Sequence, residues 1–191
     1  MEMILEKTRQ FVFAARGEND AAHDARHVQR VVRLTEQLCT AYPEVNLFRA
    51  RLLAWVHDLQ DDKLRSNMGS GAVADFLRSV GAPEADVAFV TEGMPYISYR
   101  KHPRLSPEIP LEIRIVQDAD RLDAMGAVGI ARTFAYGGAK GRSLEDSLAH
   151  FDEKLLRLYD LLSTEEAKKL AKPRWEFLRE FYSRFKAENG Y

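Results

Sequence analysis

Cysteine is almost absent from this chain of 191 residues: Cys39 stands alone, so no disulfide can close within it, and a reducing, cytoplasmic setting is expected. An excess of charge of either sign is missing too. Lys and Arg number 28 against 29 Asp and Glu, a net charge of −1, so nothing favours a nucleic-acid polymer or an anionic membrane as partner. No apolar run approaches the roughly 20 residues that a membrane span needs. The opening stretch MEMILEKTRQFVFAARGEND carries early acids and a helical rhythm, not the basic start and apolar block of a signal peptide. Internal repeats, low-complexity tracts, interdomain linkers and convincing strands are lacking as well. The basic stretch GGAKGR at 137–142 lacks the GxxxxGK[ST] pattern of a P-loop and is expected to be a helix end with solvated charges. A hydrophobic fraction of 46% remains, ordinary for a globular protein and enough for one domain over 1–191 with a real core.

What is present is helical periodicity. It predicts helices over about Met3–Ala15, from Asp20–Asp24 to Tyr42-Pro43, over Glu44–Asp58, and over Ala72–Val80 with Gly81 at the end. Further helices follow from Pro83 to Pro95–Tyr99, and from Leu111 either to about Ala124 or on to Tyr136. Two more take Ser143–Leu162 and Thr164–Ala187, with Pro173 as a kink in the last. LQDDKLRSNMGSG and YRKHPRLSPEIP are expected as loops. The expected fold class is all-α. Trp55, Trp175 and the helically spaced Phe residues belong to its core, and Cys39 is expected to be structural.

Four polar residues point the same way as that core. At about 100° per residue, His27 shares a stripe with Val31, Leu34 and Leu38; His57 shares one with Leu53 and Ala50. Asp120 shares one with Ile113, Val116, Ala124 and Ala127, while Asp118 points about 160° away. Polar groups aimed at a core are costly unless paired or metal-bound. Two imidazoles and two carboxylates from three helices, with Asp58 adjacent to His57, make a complete ligand set for one divalent metal. Imidazole favours Mn²⁺, Fe²⁺, Ni²⁺ or Zn²⁺ over the harder Mg²⁺.

Written out, the blocks are HDARHVQRVV (23–32), LLAWVHDLQDDK (52–63) and IVQDADRLDAMGAVGIARTFAYGG (115–138). Together they resemble the HD superfamily of metal-dependent phosphohydrolases, whose signature is the order H…HD…D. The third block is similar to that of a subgroup of small bacterial HD hydrolases. The resemblance runs from about 20 to 138, and the C-terminal helices, 143–187, follow as packing. It implies an all-α HD-domain helical bundle with His27, His57, Asp58 and Asp120 on the metal. In related guanosine-tetraphosphate hydrolases a Glu-Asp pair at this spacing supports catalysis; Asp61 and Asp62 stand in that place here. Two-metal HD enzymes usually carry an additional His-His pair, whereas this chain has only His102 between its second and third blocks, so one metal is expected.

The expected chemistry is cleavage of a phosphate ester or anhydride by metal-activated water. Asp61 or Asp62 would orient or deprotonate the water, and Lys63, in HDxxDxK, would bind phosphate. His23, one turn before His27, together with Arg30, Lys101 and Asp123, are the candidate substrate contacts. Family analogy points to a nucleotide, with phosphomonoesterase and triphosphate pyrophosphohydrolase activities both open. A non-catalytic metal- or nucleotide-binding regulatory module is the alternative from another class. A di-metal redox bundle would need paired Glu and ExxH motifs that block 52–63 does not supply.

Overall fold

Leu47–Val56 carries apolar residues around most of its circumference, interrupted only by Arg49 and Arg51, and a helix of that kind must be largely enclosed. In the computed structural model, which describes residues 1–16, 25–59, 70–99, 101 and 105–190, Phe48, Ala50 and the run Leu52 to Val56 are all buried. Numbering helices in chain order, α1 is Glu2–Arg16, α2 Ala25–Cys39 and α3 this central helix; α1 and α2 both pack on it. So do α5 (Glu84–Ile97) and α6 (Leu111–Asp123), while α4 (Ser70–Ser79) leans on α5. A second layer of α7 (Gly126–Ala139), α8 (Leu144–Glu153) and α9 (Glu165–Glu188) follows, with two short 3₁₀ turns at Leu155–Arg157 and Tyr159–Leu161. No strand occurs among the described residues, so the all-α expectation holds. No helix among them is long and apolar enough to cross a membrane.

Local chemistry explains where the helix ends depart from the periodicity. The side chain of Asn46 accepts the Arg49 backbone N–H, so α3 starts at Leu47 rather than Glu44. The helix from Leu111 ends at Asp123, beside the expected Ala124, and the alternative continuation toward Tyr136 is a separate helix. Ala124 turns its N–H back to Asp120 and Arg121, Met125 is extended, and Gly126, the first residue of α7, takes φ +73°. Ser143–Leu162 is likewise not one helix, because α8 stops at Glu153 and 3₁₀ turns complete the span. Pro173 does not end α9, which runs unbroken through it. The GGAKGR stretch is the end of α7, closed by the Arg142 N–H on the Gly137 carbonyl.

The two layers meet on α6. Its buried Asp118 accepts the backbone N–H groups of Ser163 and Thr164 and the Thr164 hydroxyl, and Thr164 in turn caps α9. Arg121 donates to the Leu161 carbonyl, and Arg174 on α9 to that of Leu122. Phe134, Phe151, Phe181, Tyr182 and Phe185 stack between α7, α8 and α9. Trp55 is buried in the first layer and Trp175 half-buried in the second.

Candidate metal centre

α2, α3 and α6 converge at one end of their shared packing, and each brings a polar side chain there. His27 lies in the first turns of α2, His57 is the C-cap of α3 with Asp58 in the turn after it, and Asp120 is in the last turn of α6. His27 Nε2 is 3.4 Å from Asp58 Oδ2 and 3.4 Å from Asp120 Oδ1. His57 Nε2 is 3.3 Å from Asp58 Oδ1 and 3.9 Å from Asp120 Oδ1. Donor atoms of His27, His57 and Asp58 all lie within 4.8 Å of one another, a cluster that could hold a metal ion. The imidazoles form the floor and the carboxylates the rim: side-chain exposures are 3% and 0% against 19% and 26%.

The outer ring nitrogens decide what the inner ones present. His57 Nδ1 is 2.8 Å from the Ala54 carbonyl oxygen, which can only accept, so Nδ1 carries the proton. His27 Nδ1 is 2.7 Å from Asp123 Oδ2, and the same reasoning puts a proton on it. Both Nε2 atoms therefore turn toward carboxylate oxygens, and that of His57 is buried without a hydrogen-bond partner. A proton on His57 Nε2 would have to reach oxygens beyond the usual N–H···O range of about 2.7–3.2 Å. Ligands about 2.1 Å from a common ion stand roughly 3.0–3.4 Å apart at octahedral or tetrahedral angles, which is close to the spacing found. Acceptors facing acceptors at this spacing fit a cation, and two imidazoles with two carboxylates suit a borderline transition metal.

Behind His27 lies a second charged group. Asp123, 2% exposed, accepts from Arg30 Nε at 2.5 Å and Nη2 at 3.1 Å, and from Arg132 Nη1 at 2.6 Å, besides His27. Burial alone would raise the Asp123 pKa, but the hydrogen bonds from His27 and Arg30 and the charges of His27 and Arg132 hold it well below the usual carboxylate range. At His27, burial works against the imidazolium; Asp123 and Asp58 outweigh it and raise the pKa. The carboxylate field that favours positive charge at that ring also favours a cation beside it.

Of the residues singled out in the sequence, the structure brings together His27, His57, Asp58 and Asp120, with Arg30 and Asp123 directly behind. Asp123 was expected to touch substrate; its 2% exposure and its four donor contacts place it behind the imidazole instead. Lys101 is exposed in the turn beyond α5. His23, Asp61, Asp62 and Lys63 lie outside the described residues, as does His102. Cys39 is buried, and burial pushes its thiol pKa up to about 11, as a structural role requires. Arg132 was not anticipated. Nine residues after Asp123, it would fall roughly 180° away on a continuous helix.

A helical bundle that gathers H…HD…D around one point defines a class of metal-binding proteins. This chain belongs to the HD domain family, whose model matches residues 24–125. YpgQ of Bacillus subtilis (strain 168) is 37% identical over 183 residues, 92% of this chain and 89% of YpgQ. The crystal structure of YpgQ in complex with ADP superposes with a TM-score of 0.84 at 34% identity, covering 97% of this chain and 94% of that one. An HD-superfamily hydrolase from Bacillus thuringiensis matches with a TM-score of 0.75 at 36% identity, over 98% and 97% of the two chains. A structure from Lactobacillus plantarum reaches a TM-score of 0.88 at 29% identity, over 98% and 97%.

Proposed function

We propose that this protein is a metal-dependent phosphohydrolase of nucleotides, working as a single domain with one divalent ion held by His27, His57, Asp58 and Asp120. The observation that carries the reading is the buried His57 Nε2, which has no hydrogen-bond partner and faces the carboxylates of Asp58 and Asp120. A divalent ion bound there would lower the pKa of a water and withdraw charge from a phosphoryl group. The rim position of Asp58 and Asp120 leaves the carboxylate side of the cluster as the approach for substrate. Cys39, buried and with its thiol pKa raised to about 11, is poorly suited as a nucleophile, and direct attack by metal-activated water is the proposed step. Asp61 or Asp62, three and four residues after Asp58 in sequence, orients or deprotonates that water, and Lys63 binds a phosphate oxygen. His23 and Lys101 remain the proposed substrate contacts. Arg30 acts behind the site through Asp123.

A nucleotide substrate is supported by the ADP bound to the Bacillus subtilis relative, and hydrolysis by the Bacillus thuringiensis HD-superfamily hydrolase. Phosphate and pyrophosphate release over a panel of nucleoside mono-, di- and triphosphates, each with Mn²⁺, Fe²⁺, Ni²⁺, Zn²⁺ and Mg²⁺, tests the reading. The expected result is turnover of a nucleotide with a transition metal, less with Mg²⁺, and none with chelator. Single turnover in ¹⁸O-water is expected to place one label at the attacked phosphorus. A trapped phospho-enzyme would overturn direct attack by water. Metal-dependent nucleotide binding with no turnover on any panel member would favour the regulatory-module alternative.

A further inference from the structure

Arg132 reaches the metal centre only because the chain breaks between α6 and α7. Were that stretch one helix, nine residues would carry Arg132 about 13.5 Å along the axis from Asp123 and to its opposite side. Instead Gly126 takes a left-handed φ of +73°, and the chain turns there into α7, which packs on α8 and α9. Gly129 permits the tight turn: a Cβ there would sit 2.0 Å from the Ala124 carbonyl oxygen. The result is Arg132 Nη1 at 2.6 Å from Asp123 Oδ2 and 3.1 Å from His27 Nδ1. Since the carboxylate can only accept, the imidazole N–H and the guanidinium N–H are two donors meeting on one oxygen. Arg30, from α2, grips mainly the other oxygen at 2.5 Å. Asp123 is thus fixed by arginines from two helices, and it has no freedom to turn away from His27.

Resting on the reading of His27, His57, Asp58 and Asp120 as metal ligands, we infer that Arg132 is a positioning residue for that centre. Acting through Asp123, it holds the His27 ring with Nδ1 protonated and Nε2 aimed at the ion. Partners of this kind set the tautomer and orientation of a ligating histidine, and losing one typically weakens metal binding about 10–100-fold. Helix α7 lies beyond the residues that the HD domain model matches, so the second layer contributes to the centre as well as to packing.

The test uses the whole chain, with Arg132→Gln and Arg132→Lys beside the wild type. Mn²⁺ dissociation constants come from calorimetric titration, and the protonation of His27 from ¹⁵N imidazole spectra. Arg132→Gln is expected to weaken Mn²⁺ binding by about 10-fold or more, and Arg132→Lys, which keeps a charged donor, to restore a large part of it. The wild-type spectrum is expected to show a proton on His27 Nδ1, with that signal shifted or broadened in Arg132→Gln. Unchanged Mn²⁺ affinity in folded Arg132→Gln overturns the inference. A wild-type His27 Nδ1 without a proton overturns it as well, a result that stands even where the Gln variant does not fold. Failure of the wild type to bind any transition metal would instead bring down the ligand assignment itself, leaving the imidazole spectra to judge the Arg132–Asp123–His27 geometry alone.

Discussion

Asp118 and Asp120 are two residues apart on α6 and face opposite parts of the molecule. Asp118 is fully buried and meets donors only: two backbone N–H groups and a hydroxyl from the start of the second layer. Asp120 is partly exposed and meets imidazole nitrogens whose other ring atoms already carry the proton. Both are acids in a helical interior, and burial depth would rank Asp118 first as the unusual one. The sign of the neighbours distinguishes them. A carboxylate surrounded by donors is a structural clasp, whereas acceptors turned on one another call for a cation.

Asp58→Ala should show the greatest effect on the metal side of this contrast. Metal-dependent hydrolysis should fall by at least about 100-fold, since loss of even an outer partner of a ligand can cost that much. Circular dichroism and the melting transition should still report a folded protein. Wild-type turnover in folded Asp58→Ala with metal in excess would refute its place as a ligand. Asp118→Ala should do the reverse. It leaves the Ser163 and Thr164 donors unmatched and should destabilise the chain by about 2–4 kcal/mol in denaturant unfolding, with metal affinity near wild type. An Asp118→Ala protein of normal stability and lost metal binding would invert the comparison.

Smaller effects sharpen it. Lys63→Met should lower kcat/KM on the best nucleotide by about 10-fold while metal content stays normal, because a phosphate contact is lost and no ligand is. Unchanged kinetics would return Lys63 to the solvated surface. The smallest change belongs to Cys39. Burial raises its pKa to about 11, so well below that pH the thiol stays protonated in the native chain, and the reactive thiolate appears only as pH approaches that value or the chain unfolds. Alkylation at pH 8 should therefore be negligible in native protein and rapid in denaturant; fast native labelling would contradict its burial.

The convergence of the centre's side chains was partly legible in the sequence because the inward phase of His27 and Asp120 is set within a single helix and that of His57 at a helix end. His27 with Val31 and Leu38 needs only the local 3.6-residue period, and the order H…HD…D supplied the rest. The helix break at Gly126 was only half legible: the periodicity allowed an end near Ala124 but also a continuation toward Tyr136. A lone glycine in a periodic run is compatible with continuation, and only the extended Met125 and the left-handed Gly126 show the chain turning. That one turn hid Arg132, which continuous periodicity puts on the wrong side of α6. It also made Asp123 look like a pocket residue, since the donors that enclose it come partly from beyond the turn. Asp118 was placed correctly as facing away, but its partners are 45 and 46 residues on, and no local pattern announces them.

The account rests most directly on the convergence of His27, His57, Asp58 and Asp120 on one ion. Anomalous diffraction from crystals grown with Mn²⁺ or Zn²⁺ measures it. The result predicted is one peak per chain within about 2.0–2.3 Å of both Nε2 atoms, with a carboxylate oxygen each from Asp58 and Asp120 completing the protein ligands. A folded crystal in saturating metal with no peak there, or with its peak more than about 6 Å from these four side chains, too far for ligation, would contradict it.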